Sequence, residues 1–147
     1  MTDPLRLSFT VACPPAHAFA TWTERMTMWW PRSHTVHAGE DLEVVFEPRA
    51  GGRIFERTAS GAEADWGEVV AWEPPRRVVY LWHLRQDRAD ATEVELAFAP
   101  DAAGTRVDIE HRGWERLGAR GPERRQANER GWGGVLPAFT AACLGYS

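Results

Sequence analysis

The sequence contains 147 residues, the length of one ordinary domain, with 44% hydrophobic and 26% charged residues. Its formal net charge is −4, and all 17 basic residues are arginine. This charge balance argues against nucleic acid as the main partner, and the absence of lysine excludes a side-chain Schiff base. We therefore expect a single globular domain over residues 1–147 that binds no nucleic acid.

The sequence carries few targeting or redox signals. It has no signal peptide and no apolar run of about 18 residues, so we expect neither export nor membrane insertion but a cytoplasmic location. Cys13 and Cys143 lie at opposite ends of the chain and have no metal-ligand spacing. We expect both to be reduced thiols that pack as small apolar residues, and we expect no metal and no cofactor.

The first half of the chain predicts strands and two short helices. Strict alternation from Leu5 to Val11 indicates a strand, which Pro14 and Pro15 end. The elements that follow are a helix over residues 16–21, a second helix capped by Thr23 and ending at Trp30, a loop over 32–40, and strands over 42–47 and 53–58. Residues 48–52 predict a turn, because paired glycines supply positive φ without a steric penalty.

The second half predicts four more strands and one long helix. The strands cover residues 65–72, 77–84, 92–98 and 105–111, and the helix runs from about Pro122 to Leu144. Alternation in the last two strands predicts an inward face made of Val94, Leu96, Phe98, Val107 and Ile109. Bulky residues on both sides of the strand over 65–72 leave its register open. Seven strands joined by tight turns predict an α+β domain with an antiparallel meander and one crossing.

The C-terminal helix carries an apolar stripe and an unusual interior. Its apolar residues recur at spacings of three and four, which places them on one face: Trp132, Val135, Leu136, Phe139, Ala142 and Cys143. Pro137 would press its ring on the carbonyl of Gly133, so we predict a kink between these two residues. The nearby glycines allow either close packing of the helix on the sheet or a kink that widens one end of a cavity.

Short motifs along nearly the whole chain occur in the order of one known family. They are Pro15 with Ala18-Phe19-Ala20-Thr21-Trp22-Thr23, Trp29-Trp30-Pro31, Glu47-Pro48-Arg49-Ala50-Gly51-Gly52-Arg53, Gly67-Glu68-Val69, Pro74-Pro75-Arg76-Arg77-Val78-Val79-Tyr80 with Trp82, Gly104-Thr105-Arg106 and Gly131-Trp132. Together they resemble the activator of heat shock protein 90 ATPase homologue family, within the START-like (Bet v 1-like, polyketide cyclase, SRPBCC) superfamily. Members of this superfamily have unrelated activities, so the motifs are specific for the fold rather than for a reaction.

The resemblance implies a helix-grip fold. In such a fold a curved seven-stranded antiparallel sheet wraps around the long C-terminal helix, and two short helices lie between the first and second strands. It also implies a cavity between helix and sheet, which in family members often holds a small hydrophobic ligand. Pro137 departs from the plain helix of the family pattern and leaves the shape of that cavity open.

We expect a binding module for a small, largely apolar molecule. The side chains predicted to line its site are Trp30, Phe46, Tyr80, Trp82, His111, Trp132, Leu136 and Phe139. Aromatic lining with few polar groups is typical of ligand pockets of roughly 300–1,000 Å³. The alternative is that the same large side chains fill the interior completely, since aromatic residues dominate core packing.

An enzyme of the cyclase or hydrolase type is the second hypothesis, although the familiar catalytic motifs are missing. His111 continues an inward face and could act as a base at a cavity rim, or be a structural histidine at the sheet edge. Tyr80 and Glu68 are the other proton-transfer candidates, and Glu68 faces either inward as a buried acid or outward. His34 and His37 are either solvated loop histidines or, with Glu40 and Asp41 nearby, a metal site.

A stress-linked co-chaperone is the third hypothesis, and it predicts an exposed apolar patch instead of a deep cavity. A chaperone partner follows only from the resemblance to the family. The sequence leaves open a homodimer formed through an edge strand or the helix surface.

Overall fold

The computed structural model describes residues 2–38 and 41–144. The elements are β1 (Leu5–Val11), α1 (Pro15–Thr23), α2 (Met26–Trp29), β2 (Leu42–Phe46), β3 (Arg53–Thr58), β4 (Glu63–Glu73), β5 (Arg77–Trp82), β6 (Thr92–Asp101), β7 (Gly104–Arg112) and α3 (Gly121–Cys143). Short 3-10 turns cover Arg32–His34, Arg88–Asp90 and Trp114–Arg120. Over the described residues, no helix has both the length and the apolar character needed to cross a bilayer.

All seven strands form one antiparallel sheet in the order β1-β7-β6-β5-β4-β3-β2. Neighbouring strands from β2 to β7 follow one another along the chain, and β1 crosses over to pair with β7. The sheet curls into a half-barrel around α3, with α1 and α2 between β1 and β2. This arrangement confirms the predicted α+β helix-grip fold and the meander with one crossing.

The core fills the space between the concave sheet face and the helices. The five residues predicted to face inward on β6 and β7 are all buried, the most exposed being Phe98 at 3%. On α3 the buried stripe consists of Trp132, Val135, Phe139 and Cys143, while Leu136 is half-buried. Burial of this stripe stabilises a helix that is otherwise rich in glycine and polar residues.

Irregular pairing explains why side-chain alternation does not reveal the register of β4. The β3–β4 ladder shifts between Ile54 and Phe55, and the β4–β5 ladder shifts between Val69 and Ala71. Each shift is a bulge that changes which side of the strand faces the core. Gly67 sits between the two shifts, and a Cβ at this position would collide with the carbonyl oxygen of Leu81.

Two local predictions need correction or remain open. Thr23 does not cap α2, because its Oγ1 donates a 2.9 Å hydrogen bond to the Phe19 carbonyl within α1, and α2 has Arg25 at its N-cap without a side-chain cap. The 3-10 turn occupies the start of the predicted loop, and Gly39 and Glu40 at its end lie outside the described residues. Helix α3 continues through Pro137, and the kink remains a prediction.

Candidate functional site

A pocket of about 70 Å³ lies between the sheet and α3. Its lining residues are Trp30, His34, Trp82, Leu84, Asn128, Gly131, Trp132 and Val135. The four α3 residues have spacings of three, one and three, which is the pattern of one helix face. Trp30 follows α2, Trp82 ends β5, and Leu84 lies just beyond it, so several elements meet at this point.

Tryptophan rings form the wall of the pocket on the sheet side. The ring centroids of Trp30 and Trp82 are 5.6 Å apart, and both rings contact Trp66, at 5.2 Å and 5.7 Å. On the opposite side Trp132 stacks on Trp22 with centroids 5.9 Å apart. These separations lie within the range favoured by aromatic pairs, so the rings support each other's positions.

His111 connects the two sides of this region through buried hydrogen bonds. Trp132 Nε1 donates to His111 Nδ1 at 3.2 Å, and His111 Nε2 lies 2.7 Å from Thr92 Oγ1. Because an indole nitrogen only donates, Nδ1 is the acceptor and the neutral ring carries its proton on Nε2. Nε2 therefore donates to Thr92, whose hydroxyl in turn donates to the Trp82 carbonyl at 3.4 Å.

This environment makes His111 a poor base. The residue is completely buried, and burial together with the charge of Arg124 lowers its pKa from 6.5 to about 3. Strand β7 lies between β1 and β6, so His111 is not at a sheet edge, and that predicted location is wrong. His111 is not among the residues that line the pocket. Both ring nitrogens have side-chain partners, which gives the imidazole a structural role.

Tyr80 lies in the same core and is 1% exposed. Its ring packs against Phe46 and Trp82, with centroids 5.4 Å and 5.6 Å away. Burial raises the pKa of its phenol far above the ordinary value, and interaction with Trp22 offsets the rise only in part. Trp22 Nε1 itself has no partner of good hydrogen-bond geometry among the described residues. Tyr80 is therefore unsuited to proton transfer near neutral pH.

Glu68 faces outward, and its inward alternative is wrong. Its side chain is 38% exposed and accepts a 2.6 Å hydrogen bond from Arg88 Nη2. The buried acid of this sheet is Glu56 on β3, which has no exposed surface. The burial of Glu56 could have been predicted from the sequence, because period-2 alternation places it on the same face as the buried Ile54 and Thr58.

The Glu56 carboxylate accepts four hydrogen bonds. Oε1 accepts from the Val36 amide at 2.7 Å and from Trp66 Nε1 at 2.8 Å. Oε2 accepts from the His37 amide at 2.7 Å and lies 2.8 Å from His37 Nδ1. Burial alone would raise the pKa of Glu56, but the four donors more than compensate and hold it below the ordinary value.

Arg85 approaches the same loop from the connection after β5. Its Nη2 donates to the Ser33 and Thr35 carbonyls at 2.7 Å and 2.6 Å, and its Nε donates to Thr35 at 3.0 Å. Trp30 Nε1 donates to the His34 carbonyl at 2.9 Å. We call residues 32–38 the covering segment, because its His34 lines the pocket and lies against Gly134 of α3.

The two loop histidines have separate partners. His34 Nδ1 lies 3.0 Å from Ser33 Oγ, whereas His37 pairs with Glu56. Within residues 2–38 and 41–144, no group of three or more His, Cys, Asp or Glu side chains could hold a metal ion. Glu40, part of the predicted metal alternative, lies outside the described residues.

The predicted ligand-binding residues divide into two groups. Trp30, Trp82 and Trp132 line the pocket. The others lie in or against the surrounding core: Phe46, Tyr80, His111, Leu136 and Phe139. Sequence reasoning missed His34, Leu84, Asn128, Gly131 and Val135. Three of these, Asn128, Gly131 and Val135, could have been found by following helical spacing away from Trp132.

Two larger grooves of about 420 and 510 Å³ are less suitable for an apolar guest. Charged side chains line both, and those of the first include Arg6, Arg106, Asp108 and Glu110. Arg6 is already paired with Glu110 and Arg106 with Asp108, at 3.1 Å and 3.0 Å. The small tryptophan-lined pocket is therefore the candidate site despite its size.

Comparison with known proteins places this site in a family context. The model of the family described as activator of Hsp90 ATPase homolog 1-like protein matches residues 12–143. Among curated protein sequences, none matches the chain.

Three similar solved structures cover nearly the whole chain. An anthrahydroquino-γ-pyrone synthase, Txn09, solved in a complex, is 31% identical over 96% of this chain and 97% of its own, with a TM-score of 0.65. The self-sacrificing resistance protein CalC from Micromonospora echinospora is 28% identical over 95% and 93%, with a TM-score of 0.70. An AHSA1 protein from Silicibacter pomeroyi is 25% identical over 95% and 96%, with a TM-score of 0.65.

Proposed function

Because the chain belongs to the activator of Hsp90 ATPase homolog 1-like family, we propose that it uses the helix-grip interior to bind a small, largely apolar molecule. The carrying observation is that Trp30, Trp82 and Trp132 come from separate elements and meet at one pocket. Removing apolar surface from water at roughly 25 cal/mol per Å² supplies the driving force. The flat indole rings favour a flat, aromatic guest.

The pocket volume adds a condition to this proposal. A volume of about 70 Å³ corresponds to two or three water molecules at about 30 Å³ each, well below the roughly 300 Å³ of small ligand sites. A tricyclic guest therefore enters only if one wall of the pocket moves outward. The 31% identical neighbour is named an anthrahydroquino-γ-pyrone synthase, which makes polycyclic aromatic compounds the first class to test.

Two glycines of α3 provide a matched test. Gly131 lines the pocket and Gly133 is exposed, and a Cβ at either position would meet nothing within 4 Å. Titration with anthraquinone-2-sulfonate, followed by tryptophan fluorescence, is expected to show saturable quenching of the unmodified chain and of Gly133→Leu. Gly131→Leu is expected to weaken binding at least tenfold, because its side chain fills the pocket. Equal binding by both variants, or quenching that never saturates, would contradict the proposal.

A cyclase is the second candidate, favoured by the sequence identity to a synthase. His34 is the titratable side chain of the pocket lining and would move the proton, with Asn128 as a polar neighbour. The probe is 2′-hydroxychalcone, which closes to a flavanone by adding its phenol oxygen to the enone and needs no cofactor. We expect the protein to close the ring faster than the uncatalysed rate, and we expect His34→Gln to remove this acceleration. Equal rates with and without the protein would remove this candidate.

The co-chaperone role is a separate proposal that comes from the family's name. Large exposed apolar side chains among the described residues are Met28, Val36, Val70 and Leu144, which belong to separate parts of the chain. The assay is the ATPase rate of purified Hsp90 with and without the protein, and the role predicts stimulation. We also propose a cytoplasmic location and a homodimer. Cell fractionation tests the location, and analytical sedimentation tests the dimer.

A further inference from the structure

We propose that Glu56 and Arg85 are positioning residues that control access to the pocket by holding the covering segment closed over it. The access claim rests on the proposed function, since it assumes that a guest enters this pocket. The claim that these two side chains hold the segment in place rests only on the hydrogen bonds of residues 33–37.

The covering segment differs from the other walls of the pocket in how its main chain is satisfied. Trp82 belongs to a strand ladder and Trp132 to a continuous helix, so their main chains are held by regular hydrogen bonds. The covering segment contains one short 3-10 turn and no strand. Three side chains from outside the segment bond main-chain groups of five consecutive residues instead. Arg85 donates to the Ser33 and Thr35 carbonyls, and Trp30 donates to the His34 carbonyl. Glu56 accepts from the Val36 and His37 amides.

Glu56 couples this segment to the aromatic wall. Its Oε1 accepts hydrogen bonds from both the Val36 amide and Trp66 Nε1, and the Trp66 ring contacts Trp30 and Trp82. Loss of Oε1 as an acceptor would leave the Val36 amide and Trp66 Nε1 unpaired at the same time. A glutamine has the same shape, but its NH₂ group would face N–H donors and cannot accept from them.

Arg85, from the connection after β5, provides the second set of contacts that hold the segment. Its backbone φ is +63°, a left-handed conformation that side-chain-bearing residues adopt rarely. Among the described residues, its guanidinium hydrogen bonds go to the Ser33 and Thr35 carbonyls. The uncommon backbone conformation thus occurs at a residue whose guanidinium hydrogen bonds, among the described residues, all go to the main chain of the covering segment, as expected where a residue positions a loop.

Amide hydrogen exchange tests the hold without any ligand. In Glu56→Gln and in Arg85→Gln, the amides of residues 33–38 are expected to exchange at least tenfold faster, while those of buried Val107 and Leu96 keep their rates. The controls Glu68→Gln and Arg88→Gln make the same substitutions in an exposed ion pair and are expected to leave the segment unchanged. Equal acceleration in segment and core, or none beyond the controls, would overturn the proposal.

Access is measured separately with 5-fluorotryptophan. The ¹⁹F shift difference between H₂O and D₂O reports the solvent exposure of each ring, and it is expected to rise for Trp30 and Trp82 in both variants but not for fully buried Trp114. Faster exchange without this rise would show a loosened loop that does not control the pocket, and the access claim would fail. Neither readout uses a guest, so a failure of the proposed binding would be seen independently in the anthraquinone-2-sulfonate titration.

Discussion

Trp132 and His111 are joined by a 3.2 Å hydrogen bond from the indole Nε1 to the imidazole Nδ1, which ties α3 to strand β7 of the sheet. The contact fixes the ring that forms one side of the pocket. It also requires His111 to stay neutral, because a protonated imidazole would have no acceptor for the indole N–H.

The neutral state of His111 predicts acid sensitivity. Its folded pKa of about 3 lies below the ordinary 6.5, so the unfolded chain binds more protons between these values and stability falls as pH drops through this window. Between pH 6.5 and 5 the loss is about 2 kcal/mol, at about 1.4 kcal/mol per unit. Urea denaturation at pH 7.5 and 5.0 measures it.

The comparison variant for this measurement is His111→Leu. It is less stable at both pH values, because Trp132 and Thr92 lose their partner, but the extra loss at pH 5.0 should shrink. The lowered pKa of Glu56 acts in the same direction, and its contribution is lost only below about its ordinary value of 4.5. An undiminished pH dependence in His111→Leu would contradict the assignment.

Two glycine-to-alanine changes should have opposite signs. Gly67→Ala places a methyl group into the Leu81 carbonyl, and backbone must move to accommodate it. We expect a loss of at least about 2 kcal/mol, by analogy with overpacked sites. Gly133→Ala meets nothing within 4 Å on an exposed helix position and should gain about 0.5–1 kcal/mol. Thermal unfolding of both variants beside the unmodified chain decides the signs.

Both cysteines should be inert in the folded chain. Burial raises the pKa of the Cys13 and Cys143 thiols, and the two side chains interact with each other. Because the thiolate is the reactive form, we expect reaction with Ellman's reagent at least 100-fold slower in buffer than in 6 M guanidinium chloride. Fast labelling of Cys143 alone would indicate that the last turn of α3 opens readily.

Sequence periodicity predicted the faces of the regular strands but not those of the strand with irregular pairing. Alternation in β6 and β7 placed Val94, Leu96 and Ile109 inward, because one regular pairing on each side fixes the face of every residue. The same reasoning left β4 open, since its faces depend on bulges that alternation does not reveal. It left the orientation of Glu68 open and did not single out Glu56, which is the buried acid.

The covering segment shows what single-residue patterns cannot supply. Arg85 and Thr35 are 50 positions apart, and Glu56 and Val36 are 20 apart. No local spacing relates such pairs, so their contacts follow only from the sheet topology. Trp132 was easier to anticipate, because it belongs to the apolar stripe of the C-terminal helix.

The most direct test of the account is a ¹H–¹⁵N spectrum of the tryptophan indole N–H groups during titration with anthraquinone-2-sulfonate. The account predicts that the Trp30 and Trp132 signals shift most and saturate together, while the signal of Trp114, which packs on His111 outside the pocket lining, shifts less. Saturating shifts centred on Trp114, or no shift at Trp30 and Trp132 at any probe concentration, would contradict a guest site between the sheet and the C-terminal helix.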